Sequence, residues 1–351
     1  MDPIARNLAS ALIAIGAAVL AGAAAAETRD RLHIVGSSTV YPYTNAVADR
    51  FAQAGRFLRP DIESTGTGGG FERFCVGSGL NTPDITGASR PMRLEEWEAC
   101  RANGVWPITE VPIGYDGLTL AVSKSSPDTF SLTLKDLYTA LAAQVPVDGA
   151  LVDNPHKAWS DVRPDLPDAP ISVIGPPATS GTRDSFVELA LHVGCRHYGA
   201  LVRLEASDPA AWQAVCSTIR TDGAYIEAGE DDEAIVADIE KAPHTLGIMG
   251  YGYLFEHEAT LKGVPIEGVT PDFGTISTLD YPLARPLFIY LKNQHASAIP
   301  GMSEFVREYV SGMDPSGYLF ALGLVPYFEF VDFEQVAGDA IDGRPMRPPT
   351  H

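Results

Sequence analysis

LHIVGSSTVYPYTNAVADRF, residues 32–51, reads as a short apolar strand that stops at Gly36, a turn made of hydroxyl side chains, and a helix whose Ala46, Val47 and Phe51 share one face. A strand followed by a polar turn and an amphipathic helix is the building unit of α/β proteins. The same unit recurs down the chain. LTLAV at 118–122, ISVIG at 171–175 and PLFIYL at 286–291 are the other clear strands, and after ISVIG the residues Phe186, Leu189, Ala190 and Val193 keep helical spacing. The 351 residues exceed one usual domain of roughly 150 residues, so two α/β units are expected. Residues 145–170, rich in Pro and Asp, read as a long surface connection, and GEDDEAIV at 229–236 as a solvated acidic loop or helix start.

Composition sets outer limits. Hydrophobic residues make up 45% and charged residues 20%, a mixture that folds rather than stays disordered. Asp and Glu number 45 against 25 Lys and Arg, a net charge of −20, which argues against a nucleic-acid partner held through many phosphates. One small anion in a local pocket remains compatible, because nearby donors and oriented amides set the potential there. At the N-terminus, Arg6 precedes an Ala-rich apolar run from Leu8 to Ala26, and Ala24 and Ala26 fit a cleavage site before Glu27. A signal peptide over 1–26 and an exported mature protein are therefore expected. The four cysteines, Cys75, Cys100, Cys195 and Cys216, form no C-x-x-C pair. Of three possible pairings, closeness in sequence favours the disulfides Cys75–Cys100 and Cys195–Cys216.

The polar chemistry is concentrated in three segments of one design, GSSTVYP at 36–42, STGTGGGF at 64–71 and TSGTRDSF at 179–186. Each places Ser, Thr and Gly where a strand or loop gives way to a helix. Unpaired backbone N–H groups, the helix dipole and hydroxyl donors there form an anion socket. Arg183 follows Ser180, Gly181 and Thr182, and Arg90 stands beside Ser89 in GASRPM; a guanidinium fork suits a tetrahedral oxyanion because two donors match two oxygens. Other chemistries fit poorly. Phe71 interrupts the dinucleotide fingerprint, no phosphate-loop or nucleophile-elbow motif occurs, and the eight His are scattered without metal-ligand spacing. No metal and no cofactor are expected.

GSSTVYP, STGTGGGF, PDITGASRPM, YDGLTLAV and TSGTRDSF stand in an order that resembles the periplasmic phosphate-binding proteins of ABC phosphate transporters, from about Leu32 to Tyr327. These belong to the type II periplasmic binding proteins. The resemblance implies a two-lobed Venus-flytrap fold in which each lobe is a doubly wound sheet flanked by helices. Lobe one would take 27–115 plus 283–351, lobe two 116–282. It further implies a protein with no reaction of its own, a monomer that captures inorganic phosphate between the lobes and delivers it to an inner-membrane ABC permease. Matched position by position, Thr39 with the backbone of Val40, Thr67, and the triplet Ser180, Gly181 and Thr182 would bind the anion, joined by Ser89, Arg90 and Arg183.

Two positions depart from the family pattern. An Asp usual after the G-A-S triplet is Arg90 here, and an Arg usual four residues before S-G-T is Pro176. The Asp matters for selectivity, since a buried carboxylate accepts the proton that phosphate carries near pH 7 and sulfate lacks. Asp116 in GYDGL is the first candidate for that role and Asp184 the second. The alternatives are a receptor for sulfate or molybdate and, from another class, a secreted phosphomonoesterase.

Overall fold

The computed structural model describes residues 29–178, 180–228, 232–314, 316–326 and 333–350. The expected signal peptide, Thr179 and the first three residues of the acidic run lie outside the described residues. The run continues as the helix Asp232–Lys241, which buries Ile235, Val236 and Ile239.

Eleven strands occur among the described residues: β1 (His33–Gly36), β2 (Asp61–Ser64), β3 (Ile85–Ala88), β4 (Ile108–Ser123), β5 (Gln144–Val147), β6 (Ala150–Asp153), β7 (Val173–Gly175), β8 (Tyr225–Glu227), β9 (Leu246–Gly250), β10 (Leu261–Gly263) and β11 (Ala284–Lys292). Nine of them form one curled mixed sheet in the order β2-β1-β3-β11-β4-β9-β7-β8, with β10 also on β4. At one end β1 pairs in parallel with β2 and β3; at the other β7 pairs in parallel with β8 and β9. Antiparallel β4 and β11 join the ends.

The join is where the structure differs from two separate sheets. β4 has 16 residues, about 50 Å of extended chain, and is long enough to serve both ends. It pairs with β11 from Ile108 to Gly117, with β9 from Leu118 to Ala121, and with β10 from Ala121 to Ser123. One strand thus changes partners along its length, and the sheet stays continuous across the molecule.

Burial follows the strand alternation. Along β11, Leu287, Ile289 and Leu291 enter a core with Leu32, Val47 and Phe305, while Phe288 and Tyr290 face a smaller core with Phe71 and Phe74. A third, larger core lies at the far end of the sheet, around Tyr138, Trp159, Phe186, Ile248 and Leu283. The helix Tyr41–Gln53 starts with Pro42 in its first turn and buries Val47 and Phe51, as its spacing requires.

Both expected disulfides are present, Cys75–Cys100 and Cys195–Cys216, and no described cysteine is free. Loops of 25 and 21 residues each correspond to roughly 3 kcal/mol of chain-entropy stabilisation. The stretch 145–170 is not a bare connection. β5 and β6 form a hairpin whose two-residue loop, Asp148 and Gly149, has φ of 50° and 85°, and the helix Trp159–Val162 follows and buries Trp159 completely. Asp-Gly supplies the two positive φ angles that a tight hairpin needs, so the signal was present in the sequence.

Candidate functional site

The loop after β1 is held tightly at its start. Gly36 has φ of 127°, and a Cβ there would lie 2.2 Å from the Gly87 carbonyl of β3. Only glycine allows this approach. The Ser37 N–H then donates to that carbonyl at 2.9 Å, and the Ser37 hydroxyl accepts from the Thr39 N–H at 3.2 Å. Thr39 is thereby fixed at the mouth of the helix Tyr41–Gln53, and Val40, its next neighbour, is buried.

Across the seam lies the start of a long helical run, Gly181–Phe186, then a widened π turn, Val187–Leu191, then His192–Cys195. Ser180 caps it by accepting from the Thr182 N–H at 3.2 Å. Gly181 packs directly on the first loop: a Cβ would stand 2.3 Å from the Ser38 carbonyl oxygen. One turn later Ser185, buried, lies 2.9 Å from the Thr39 hydroxyl. The first and third hydroxyl-rich segments therefore meet, although 146 residues separate Thr39 from Ser185.

Thr67 and Ser89 form a second polar pair beside β3. The Ser89 N–H donates to the Thr67 hydroxyl at 3.1 Å, and the two hydroxyls are 3.0 Å apart. The helix Gly66–Phe74 that carries Thr67 is anchored by Thr65, whose hydroxyl accepts from the Gly36 N–H at 3.1 Å.

The two arginines singled out from the sequence are engaged elsewhere. Arg90 makes a two-pronged contact with Glu96 at 2.6 and 2.9 Å, donates to the Pro91 carbonyl, and lies over the Phe71 ring. It lines a cavity of about 460 Å³ between the helices Gly66–Phe74 and Leu94–Ala102. Arg183 turns back to the Pro176 carbonyl at 3.1 Å, over the Tyr225 ring, with Glu227 at 3.5 Å. Asp184 is exposed.

The guanidinium at the meeting point belongs to Arg285, which the sequence reading passed over. Arg285 of β11 sits directly opposite Asp116 of β4 in the register, just before β4 changes partners. Its Nε donates to Asp116 at 3.3 Å and its Nη1 to Glu188 at 3.0 Å. Its Nη2 reaches both the Thr39 and Ser185 hydroxyls. Arg285 and Asp116 are buried, whereas the Glu188 carboxylate, carried on the π turn, is 58% exposed. Burial raises the Asp116 pKa from its ordinary value, and the adjacent Arg285 charge opposes that rise. A lone Arg inside the apolar strand ARPLFIYL was the available clue, since a charge is rarely buried unless paired. Among the described residues no three of His, Cys, Asp and Glu gather as a metal-binding group.

Two α/β halves joined by crossing strands, with hydroxyls from each half converging on one guanidinium, define a binding protein with a polar site at its seam. The chain belongs to the PBP superfamily, whose domain model matches residues 21–312. It is 32% identical over 305 residues to Protein SphX of Synechocystis, covering 86% of this chain and 79% of that one. It is 29% identical to the phosphate-binding protein PstS of Staphylococcus epidermidis, over 78% and 72% of the two chains. Among solved structures, a possible phosphate-binding protein from Planctomyces limnophilus matches with a TM-score of 0.66 and 28% identity, over 89% of this chain and 98% of that one. An ABC-type phosphate transport receptor from Vibrio cholerae shares the fold, with a TM-score of 0.52 at 18% identity, over 84% and 99%.

Proposed function

We propose that this protein is an exported receptor that captures inorganic phosphate between its two halves and hands it to an ABC permease, without chemistry of its own. The halves correspond to 27–115 with 283–351 and to 116–282, and β4 and β11 are the crossings between them. The observation that carries the reading is the convergence of Thr39 from one side and Ser185, at the start of the run capped by Ser180, from the other. Relatives named as phosphate-binding proteins support the choice of anion. Contacts from both halves supply the differential affinity by which an anion favours the closed arrangement. The leader expected over 1–26 supports export, and among the described residues no helix is long and apolar enough to cross a membrane.

A second reading, a receptor for sulfate or molybdate, is favoured by one observation: the buried carboxylate at the convergence, Asp116, already accepts from Arg285. Calorimetric titration of the anion-free protein with phosphate and then sulfate at pH 7 separates the two. One-to-one phosphate binding without a sulfate response is expected. Equal binding of both anions would replace phosphate by a broader oxyanion class, and no binding of either would overturn both readings.

A further inference from the structure

The arginine that the family resemblance would place at 176 is a proline here, and neither Arg90 nor Arg183 reaches the Thr39–Ser185 contact by any hydrogen bond described above. The geometry points to Arg285 as the guanidinium that takes the bound tetrahedral anion, with Glu188 as a resident carboxylate that holds this guanidinium until the anion replaces it. The inference rests on the phosphate reading and assigns that site its cation and its internal competitor.

Three features of Arg285 fit this role. Its position on a crossing strand puts it in contact with residues of both halves, Thr39 on one side and Ser185 and Glu188 on the other. Its Nη2 donates to both hydroxyl oxygens, while the Ser185 hydroxyl donates to the Gly181 carbonyl at 2.8 Å. The Thr39 proton is then directed at Ser185, and it can turn to an arriving oxyanion. Third, Asp116 holds Nε, so the guanidinium keeps one orientation in which Nη2 fixes the two hydroxyls and Nη1, now on Glu188, is the donor that can pass to an anion oxygen beside them.

Glu188 occupies that Nη1 donor. Two carboxylates face one guanidinium here, an excess of negative charge that Arg90, within electrostatic reach of Glu188, offsets in part, so the Glu188 charge opposes the entry of a phosphate dianion. The two carboxylates differ in exposure. Asp116 is buried against the strand, whereas Glu188 is more than half exposed and can swing into water at little cost in packing. Exchange of the Glu188 carboxylate for a phosphate oxygen leaves the guanidinium paired in both states. The ligand-free state is stabilised, and apparent affinity is lowered by the competition.

The experiment is calorimetric titration of inorganic phosphate into wild type, Glu188→Gln and Arg285→Lys, with a melting curve for each. Glu188→Gln is expected to bind roughly tenfold more tightly while the ligand-free protein melts slightly below wild type, a gain in affinity that a purely structural ion pair would not give on removal. Arg285→Lys keeps the charge but loses the fork, and is expected to bind about a hundredfold more weakly. If Arg285→Lys fails to fold, Glu188→Gln decides alone. Wild type that binds phosphate, with Glu188→Gln no tighter or Arg285→Lys as tight as wild type, overturns this assignment and leaves the phosphate reading standing. Wild type that binds no phosphate overturns both.

Discussion

Strand β11 carries a buried cation near each end, and the two are used differently. Arg285 takes its partners from both halves of the molecule. Lys292, seven residues on, takes its partners from the first half alone: it is fully buried, donates to the Gly77 carbonyl and the Thr82 hydroxyl at 2.7 Å each, and lies over the Phe74 ring. Beside it Asp84, also fully buried, accepts from the His33 N–H at 2.7 Å and pairs with His295 at 2.6 Å and with Arg29. The difference teaches that burial of charge alone does not mark a binding site. A network whose members all lie on one rigid unit can be satisfied once and kept; one drawn from two units must be remade whenever they shift, and so can respond to a ligand.

The largest expected effect tests the static end. Asp84→Asn leaves His295 and Arg29 without their carboxylate and is expected to cost about 3–5 kcal/mol in urea denaturation. Phosphate affinity of the folded variant is expected to stay at the wild-type value; a large loss of affinity would dissolve the distinction between the two ends. Next, burial pulls the Lys292 pKa down from 10.5 to about 8, with nearby Asp84 opposing the shift. A lowered pKa means that above pH 8 the native state has released its proton while the unfolded chain still holds one. The Lys292 contribution therefore grows as pH rises from 8 toward 10.5 and is lost as pH falls through 8. Between pH 8 and 9.5 wild type should gain about 1.5 kcal/mol relative to Lys292→Met. A parallel pH dependence of the two proteins would show that Lys292 is not titrating there.

The smallest effect belongs to the responsive end. Asp116→Asn is expected to narrow the preference for phosphate over sulfate by roughly tenfold, about 1.4 kcal/mol, in competition titrations. An unchanged ratio would remove Asp116 from selectivity and leave it as the residue that orients Arg285.

These contrasts also explain what could be read beforehand. The hydroxyl-rich segments were legible because strand, turn and helix start adjoin in the chain, and Thr39, Ser180 and Gly181 stand where that pattern puts them. The disulfides were legible because each closes a short loop. Arg285 was not, since its meaning comes from a register in which it faces Asp116 across 169 residues of intervening sequence. Ser185 and Glu188 depend in the same way on packing against a distant strand. Arg90 and Arg183 carried a local pattern that looked right, but their neighbours Glu96 and Glu227 compete for them, and a linear motif does not reveal such competition.

Both covalent bridges stay within one half of the molecule, Cys75–Cys100 in the first and Cys195–Cys216 in the second. Oxidation therefore removes configurations from the unfolded chain without adding any constraint on rotation about the crossing strands. The stabilisation that oxidation supplies and the closure proposed for the two halves are set by separate parts of the sequence, and selection can raise one without taxing the other.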